Sequence, residues 1–239
     1  MTRALGILAF VALATTVVLG LAVTPQDVVQ GQYVRLIYIH PPLAWTAYLA
    51  FGITALSSAM YLWRRTRSRV WDLIAGSSAE VGVVFTGLTL ATGSIWGRPT
   101  WGQWWTWDAR LTSTALLFAL FLGYLALRRV PADITVRSRR SAIAALIAFA
   151  DVPIVHFSVE WWQTLHQGRT LLRPDPQIDG LQAGTLLLGF VAMTLTYAWL
   201  VVHRFRVEQL EEAYENEALD LAIAERHAEG APNRETVLA

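Results

Sequence analysis

Apolar residues in this chain come in long blocks separated by short polar breaks, and the blocks rather than any repeat organise it. Six of them, at about 4–23, 42–63, 73–95, 110–127, 141–159 and 181–203, are long enough as helices to cross the roughly 30 Å of a bilayer's hydrocarbon core. The pattern predicts an all-α integral membrane protein with six transmembrane helices. The first block exceeds the apolar region usual in a signal peptide, and no small-x-small cleavage site follows it, so it is expected to be an uncleaved helix. Residues 1–205 then form the transmembrane unit. Residues 206–239 form an acidic tail, with nine of the 18 acidic residues lying after position 207. In that tail Val207, Leu210, Tyr214 and Leu221 are spaced as on one face of a helix, so the tail is expected to be part helical and, after Gly230, disordered.

Composition agrees: 54% of the 239 residues are hydrophobic and 15% charged, against about a quarter charged in a soluble domain. There is no cysteine, which excludes disulfides, thiolate metal sites and thiol redox chemistry. The net charge of +1 gives no reason to invoke nucleic acid. All 19 basic residues are arginine, and 14 of them fall at the N-terminus, between blocks two and three, between blocks four and five, or after block six. The positive-inside rule makes that side cytoplasmic, with both termini there. Arg35, Arg98, Arg110, Arg169 and Arg173 share the other side with three loops, at about 24–41, 96–109 and 160–180.

Those outer loops carry the candidate chemistry. Five tryptophans, Trp96, Trp101, Trp104, Trp105 and Trp107, fall within twelve residues and are followed by Asp108. Interfacial tryptophans normally anchor a protein singly; a slab of indoles in one loop suits a flat apolar ligand. His40 precedes block two, and Trp161, Trp162 and His166 lie on the third loop. The two adjacent tryptophans there are either interfacial anchors or a wall of the site. Haem matches this inventory. Indoles can cover the porphyrin face, imidazoles from His40 and His166 can take the axial positions of the iron, and Arg35, Arg98, Arg110 or Arg169 can pair with the propionates. Asp108 is expected first of all to cap the fourth helix. Of the other histidines, His156 is the substitute ligand, although an internal hydrogen bond is the preferred role; His203 and His227 lie on the cytoplasmic side. Glu80 and Asp151, inside the spans, are expected to make buried helix–helix hydrogen bonds.

The run from Thr92 to Ser113, with its WWD core Trp104-Trp105-Thr106-Trp107-Asp108, resembles the tryptophan-rich signature of haem-handling proteins. With Arg35 to Pro41, Ala150 to Glu160 and Trp161 to Gly168, the chain resembles the haem exporter protein C (CcmC) family of bacterial cytochrome c maturation. That resemblance implies a non-enzymatic subunit of the inner membrane that binds haem b at the periplasmic face through the tryptophan motif, His40 and His166. It implies delivery to the haem chaperone CcmE, and as further partners the small membrane protein CcmD and the ATP-binding-cassette subunits CcmA and CcmB. The acidic tail is longer than the resemblance leads one to expect. Rival readings are a synthetase-type haem lyase, a b-type electron-transfer cytochrome, and a channel or transporter built on Glu80 and Asp151.

Overall fold

A computed structural model describes residues 2–166 and 178–229. Its elements are α1 (Thr2–Val18), continued by a wider π-helical turn over Leu19–Val23, a 3-10 segment at Gln32–Tyr38, α2 (His40–Leu62), α3 (Arg69–Trp101), α4 (Ala109–Arg129), α5 (Ile134–Phe149), α6 (Asp151–Trp161) and α7 (Gly180–Glu229). Six helical stretches are long and apolar enough to cross a membrane, with α5 and α6 sharing one of them.

Local chemistry sets the helix ends. Pro41 and Pro42 occupy the first turn of α2, where the missing N–H groups cost nothing. Ser68 and Asp108 cap α3 and α4, Asp108 Oδ1 accepting from Leu111 N at 2.8 Å. α3 ends at Gly102, whose φ of 78° closes the last turn through Gly102 N donating to Arg98 O, a left-handed conformation that costs glycine nothing. The tryptophan segment therefore differs from the loop expected at 96–109. Its first six residues, Trp96 to Trp101, are the last turns of α3, and only 102–108 is loop. Block five also differs, because the chain breaks at Ala150 between α5 and α6. Pro153 lacks the N–H that would continue the ladder.

Small residues let the helices approach closely. A Cβ on Gly82 would come within 2.7 Å of Phe51. Phe51 in turn stacks on Phe121 at 3.7 Å, both fully buried. Ser78 Oγ reaches the Ala50 carbonyl and the Tyr197 hydroxyl, each at 2.7 Å, tying α2, α3 and α7 together. At the arginine-rich end, buried Asp72 of α3 accepts from Arg69 and from Arg128 of α4 (2.7 Å), while Arg69 also holds Glu212 of α7 at 2.8 Å and Ser138 of α5 at 2.9 Å. Glu80 makes its interhelical bond as expected, to Arg204 of α7. Asp151 does not: it is buried at the head of α6, and its Oδ2 has no protein partner among the described residues. The helix break places this buried carboxylate in the first turn of α6. α7 runs through position 205 without interruption to Glu229; the segment expected to be disordered after Gly230 lies outside the described residues.

Candidate functional site

At the other end of the bundle a small cavity of about 80 Å³ opens between α2, α3, α4 and the segment after α6, with His40, Tyr48, Trp101, Trp105, Arg110 and His166 on its wall. His40 is the first residue of α2. Its Nδ1 lies 3.1 Å from Thr92 Oγ1 of α3, its ring meets Trp96 edge-on at 5.9 Å, and a Cβ on Gly93 would come within 3.0 Å of its Cε1. The glycine is what lets the Cε1 edge of the imidazole approach α3 this closely.

His166 reaches the cavity from the segment after α6. Asp108 fixes it there. While Oδ1 caps α4, Oδ2 accepts from Leu165 N at 3.2 Å and lies 3.5 Å from His166 Nδ1. That last separation is long, so Nδ1 faces the carboxylate without a short bond. Trp101 packs edge-on against the same imidazole at 4.8 Å. Burial pushes the His166 imidazole below its ordinary range; the Asp108 carboxylate opposes this and Arg110 adds to it. The ring is therefore neutral at neutral pH, with a lone pair to offer. Arg110 clamps α4 to α6, donating to His156 O (2.9 Å), Val155 O (3.3 Å) and Ser158 Oγ (3.2 Å). Two neutral donors thus converge on one apolar cavity beside an arginine, beneath a tryptophan lid.

The family CcmC, "Heme exporter protein C", matches residues 1–220. The chain belongs to this family. It is similar to the heme exporter protein C of Haemophilus influenzae, at 38% identity over 86% of this chain and 83% of the relative. Those of Bradyrhizobium diazoefficiens (37%, 85% and 79%) and Escherichia coli K12 (37%, 82% and 81%) are comparable. The match and the six apolar helices make it a multi-pass membrane protein.

Within this CcmC-family chain the residues singled out from sequence separate into three groups. His40, His166, Trp101, Trp105 and Arg110 share the cavity, with Asp108 directly behind His166. Trp104 and Trp107 stand outside it, 60% and 81% exposed, with Trp107 edge-on to Trp105 at 5.5 Å. The remaining ones are held elsewhere. Trp96 backs His40 and donates to Gln30 Oε1 at 2.9 Å. Arg35 donates to the Leu21 carbonyl at the end of the first span and Arg98 to the Gly102 carbonyl in its own turn, and neither lines the cavity. Trp161 and Trp162 are half exposed, Trp161 stacking on Phe157, and neither lines the cavity. Arg169 lies outside the described residues. In place of an internal hydrogen bond, the His156 ring packs edge-on against Tyr48 and Phe157. Sequence reasoning assigned no role to Thr92 or Tyr48. A signal existed for both: Tyr48 is two turns after His40, and Thr92 one turn before Trp96, each on the same helix face.

Proposed function

We infer that this protein handles haem for cytochrome c maturation, holding it as cargo at the cavity end with His40 and His166 as axial ligands and presenting it to the chaperone CcmE. The observation that carries this is the convergence of two imidazoles, 126 positions apart in the chain, on one cavity under the tryptophan segment. The donor set suits iron, for which imidazole is a common axial donor. Trp105 Nε1, on the cavity wall, and Thr106 Oγ1 beside it in the chain are buried without partners among the described residues and can bond a polar edge of the cargo.

The cavity in its closed form has room for a few waters and none for a macrocycle. Haem entry therefore requires the 102–108 loop to lift, exchanging indole–imidazole contacts for indole–porphyrin ones. Trp104 and Trp107, already exposed, offer the outer surface. The chain's part is binding, orientation and shielding; the bond to the chaperone is made by groups the chaperone brings. The arginine distribution supports a periplasmic cavity in the inner membrane with both termini cytoplasmic. The cargo is haem b, and CcmD with the CcmA–CcmB pair completes the assembly.

Purification in mild detergent followed by an absorption spectrum tests the reading. A Soret band is expected, strongly reduced in His40→Ala and in His166→Ala, together with failure of both variants to load CcmE. Normal haem content and loading in the double variant would overturn it.

A further inference from the structure

Both histidines turn Nδ1 into the protein, but toward different chemistry. The Thr92 hydroxyl has one proton, and it is committed to backbone: Oγ1 donates to Leu88 O at 2.8 Å. In the 3.1 Å contact with His40, Oγ1 is therefore the acceptor, and the hydrogen must sit on Nδ1. His40 is thereby held as the Nδ1–H tautomer with Nε2 bare. His166 turns its own Nδ1 toward Asp108 Oδ2 at 3.5 Å, beyond a short hydrogen bond; the carboxylate charge at that distance still favours the hydrogen on Nδ1, which leaves Nε2 bare. The groups behind His40, the Thr92 hydroxyl and the Thr89 backbone, are neutral, and the one facing His166 is a carboxylate. A carboxylate charge beside a ligating imidazole raises its basicity more than a neutral acceptor does.

We propose, on the reading that haem is bound by these two residues, that Thr92 is a positioning residue for His40 and that Thr92 and Asp108 make the axial pair unequal, with His166 the tight ligand and His40 the weak one. His40 is then the ligand that leaves first when an acceptor approaches, opening one face of the iron while His166 still holds the other. Mechanics agree with electronics. His40 is fixed by Pro41, Pro42 and Gly93 and cannot follow a cargo that moves outward. His166 lies on a segment tied to Asp108, at the head of α4 and the end of the indole loop.

The test uses the full chain in mild detergent, loaded with hemin, and three measurements. The first compares His40→Gly with His166→Gly. Hemin is expected to be lost about tenfold more readily from the second, because it lacks the tighter donor. The second is the midpoint potential. Asp108→Asn removes the charge and, with a single acceptor oxygen, keeps the cap on α4 while giving up the bond from Leu165 N; it is expected to raise the potential, and Thr92→Val to raise it less. The third is rescue. Thr92→Val is expected to weaken hemin binding on the order of 10-fold, and Thr92→Ser, which restores the hydroxyl, to recover it. A purely structural role for Thr92 would leave the potential unmoved and would not distinguish valine from serine on a chemical basis. Equal hemin loss from the two glycine variants, or wild-type potential and affinity in Thr92→Val, would overturn the proposal and leave bis-histidine binding standing. Full hemin retention in both glycine variants would overturn the functional reading itself.

Discussion

The two ends of α3 show two ways of placing polar groups at the ends of a membrane bundle. At its start, Asp72 is almost fully buried and is gripped by Arg69 and Arg128, with Glu212, Ser138, Glu80 and Arg204 close by, so that charges from α3, α4 and α7 neutralise one another and α5 adds a hydroxyl. At its end, Thr92, Gly93, Trp96 and Trp101 surround imidazoles that carry no full charge, and nearby polar atoms of Trp105 and Thr106 have no protein partner among the described residues. The first end is tied by ion pairs that fix helix positions. The second is closed by rings that meet edge-on, contacts that a flat apolar ligand can replace.

That contrast predicts opposite outcomes for substitutions at the two ends. The largest effect is expected from Asp72→Asn. Removing one member of a buried ion pair leaves Arg128 without its carboxylate, while Arg69 keeps Glu212, and costs about 3–5 kcal/mol; unfolding in detergent should register it, while the protein that remains folded keeps its haem spectrum. Next comes His40→Ala combined with His166→Ala. Haem affinity should fall by more than the ~10–100-fold that loss of an outer partner typically costs, with unfolding close to wild type; a large loss of stability here would erase the distinction between the ends. Gly93→Ala should be smaller. Its methyl must displace the His40 ring, so haem binding weakens about tenfold, and titration with hemin should show this without a matching drop in melting temperature. Trp107→Ala is expected to be the mildest. At 81% exposure, its stability change stays within about 0.5 kcal/mol. Loss of one aromatic stacking partner, worth about 0.5–1.5 kcal/mol, reduces haem retention by a few-fold in the same titration.

The cavity end was largely legible in the sequence because its chemistry is concentrated. Five indoles in twelve residues and two histidines in outer segments stand out against an apolar chain, and Asp108 before a helix reads at once as a cap. The arginines did not separate in the same way. Arg35, Arg98 and Arg110 look alike in a list of outer-face cations, yet two of them bond backbone carbonyls away from the cavity and only Arg110 reaches it, clamping α6. Nothing in their spacing distinguishes Arg98, which closes its own turn, or Arg35, which reaches the Leu21 carbonyl, from a guanidinium directed across the bundle. Trp161 and Trp162 were ambiguous for the same reason, and the structure puts them on the exposed side of α6's end.

The amino-acid sequence by itself determined the number of spans, the sidedness of charge and the residue types available for ligation, because these follow from hydrocarbon thickness and from the cost of burying charge, which act on each segment separately. Only the tertiary structure decided that α3 extends to Trp101, that the fifth span breaks before Asp151, and that His40 meets Thr92 while His166 meets Asp108. Those pairs are 52 and 58 residues apart. Their meeting depends on the packing and rotation of neighbouring helices, which hydropathy along one helix leaves open.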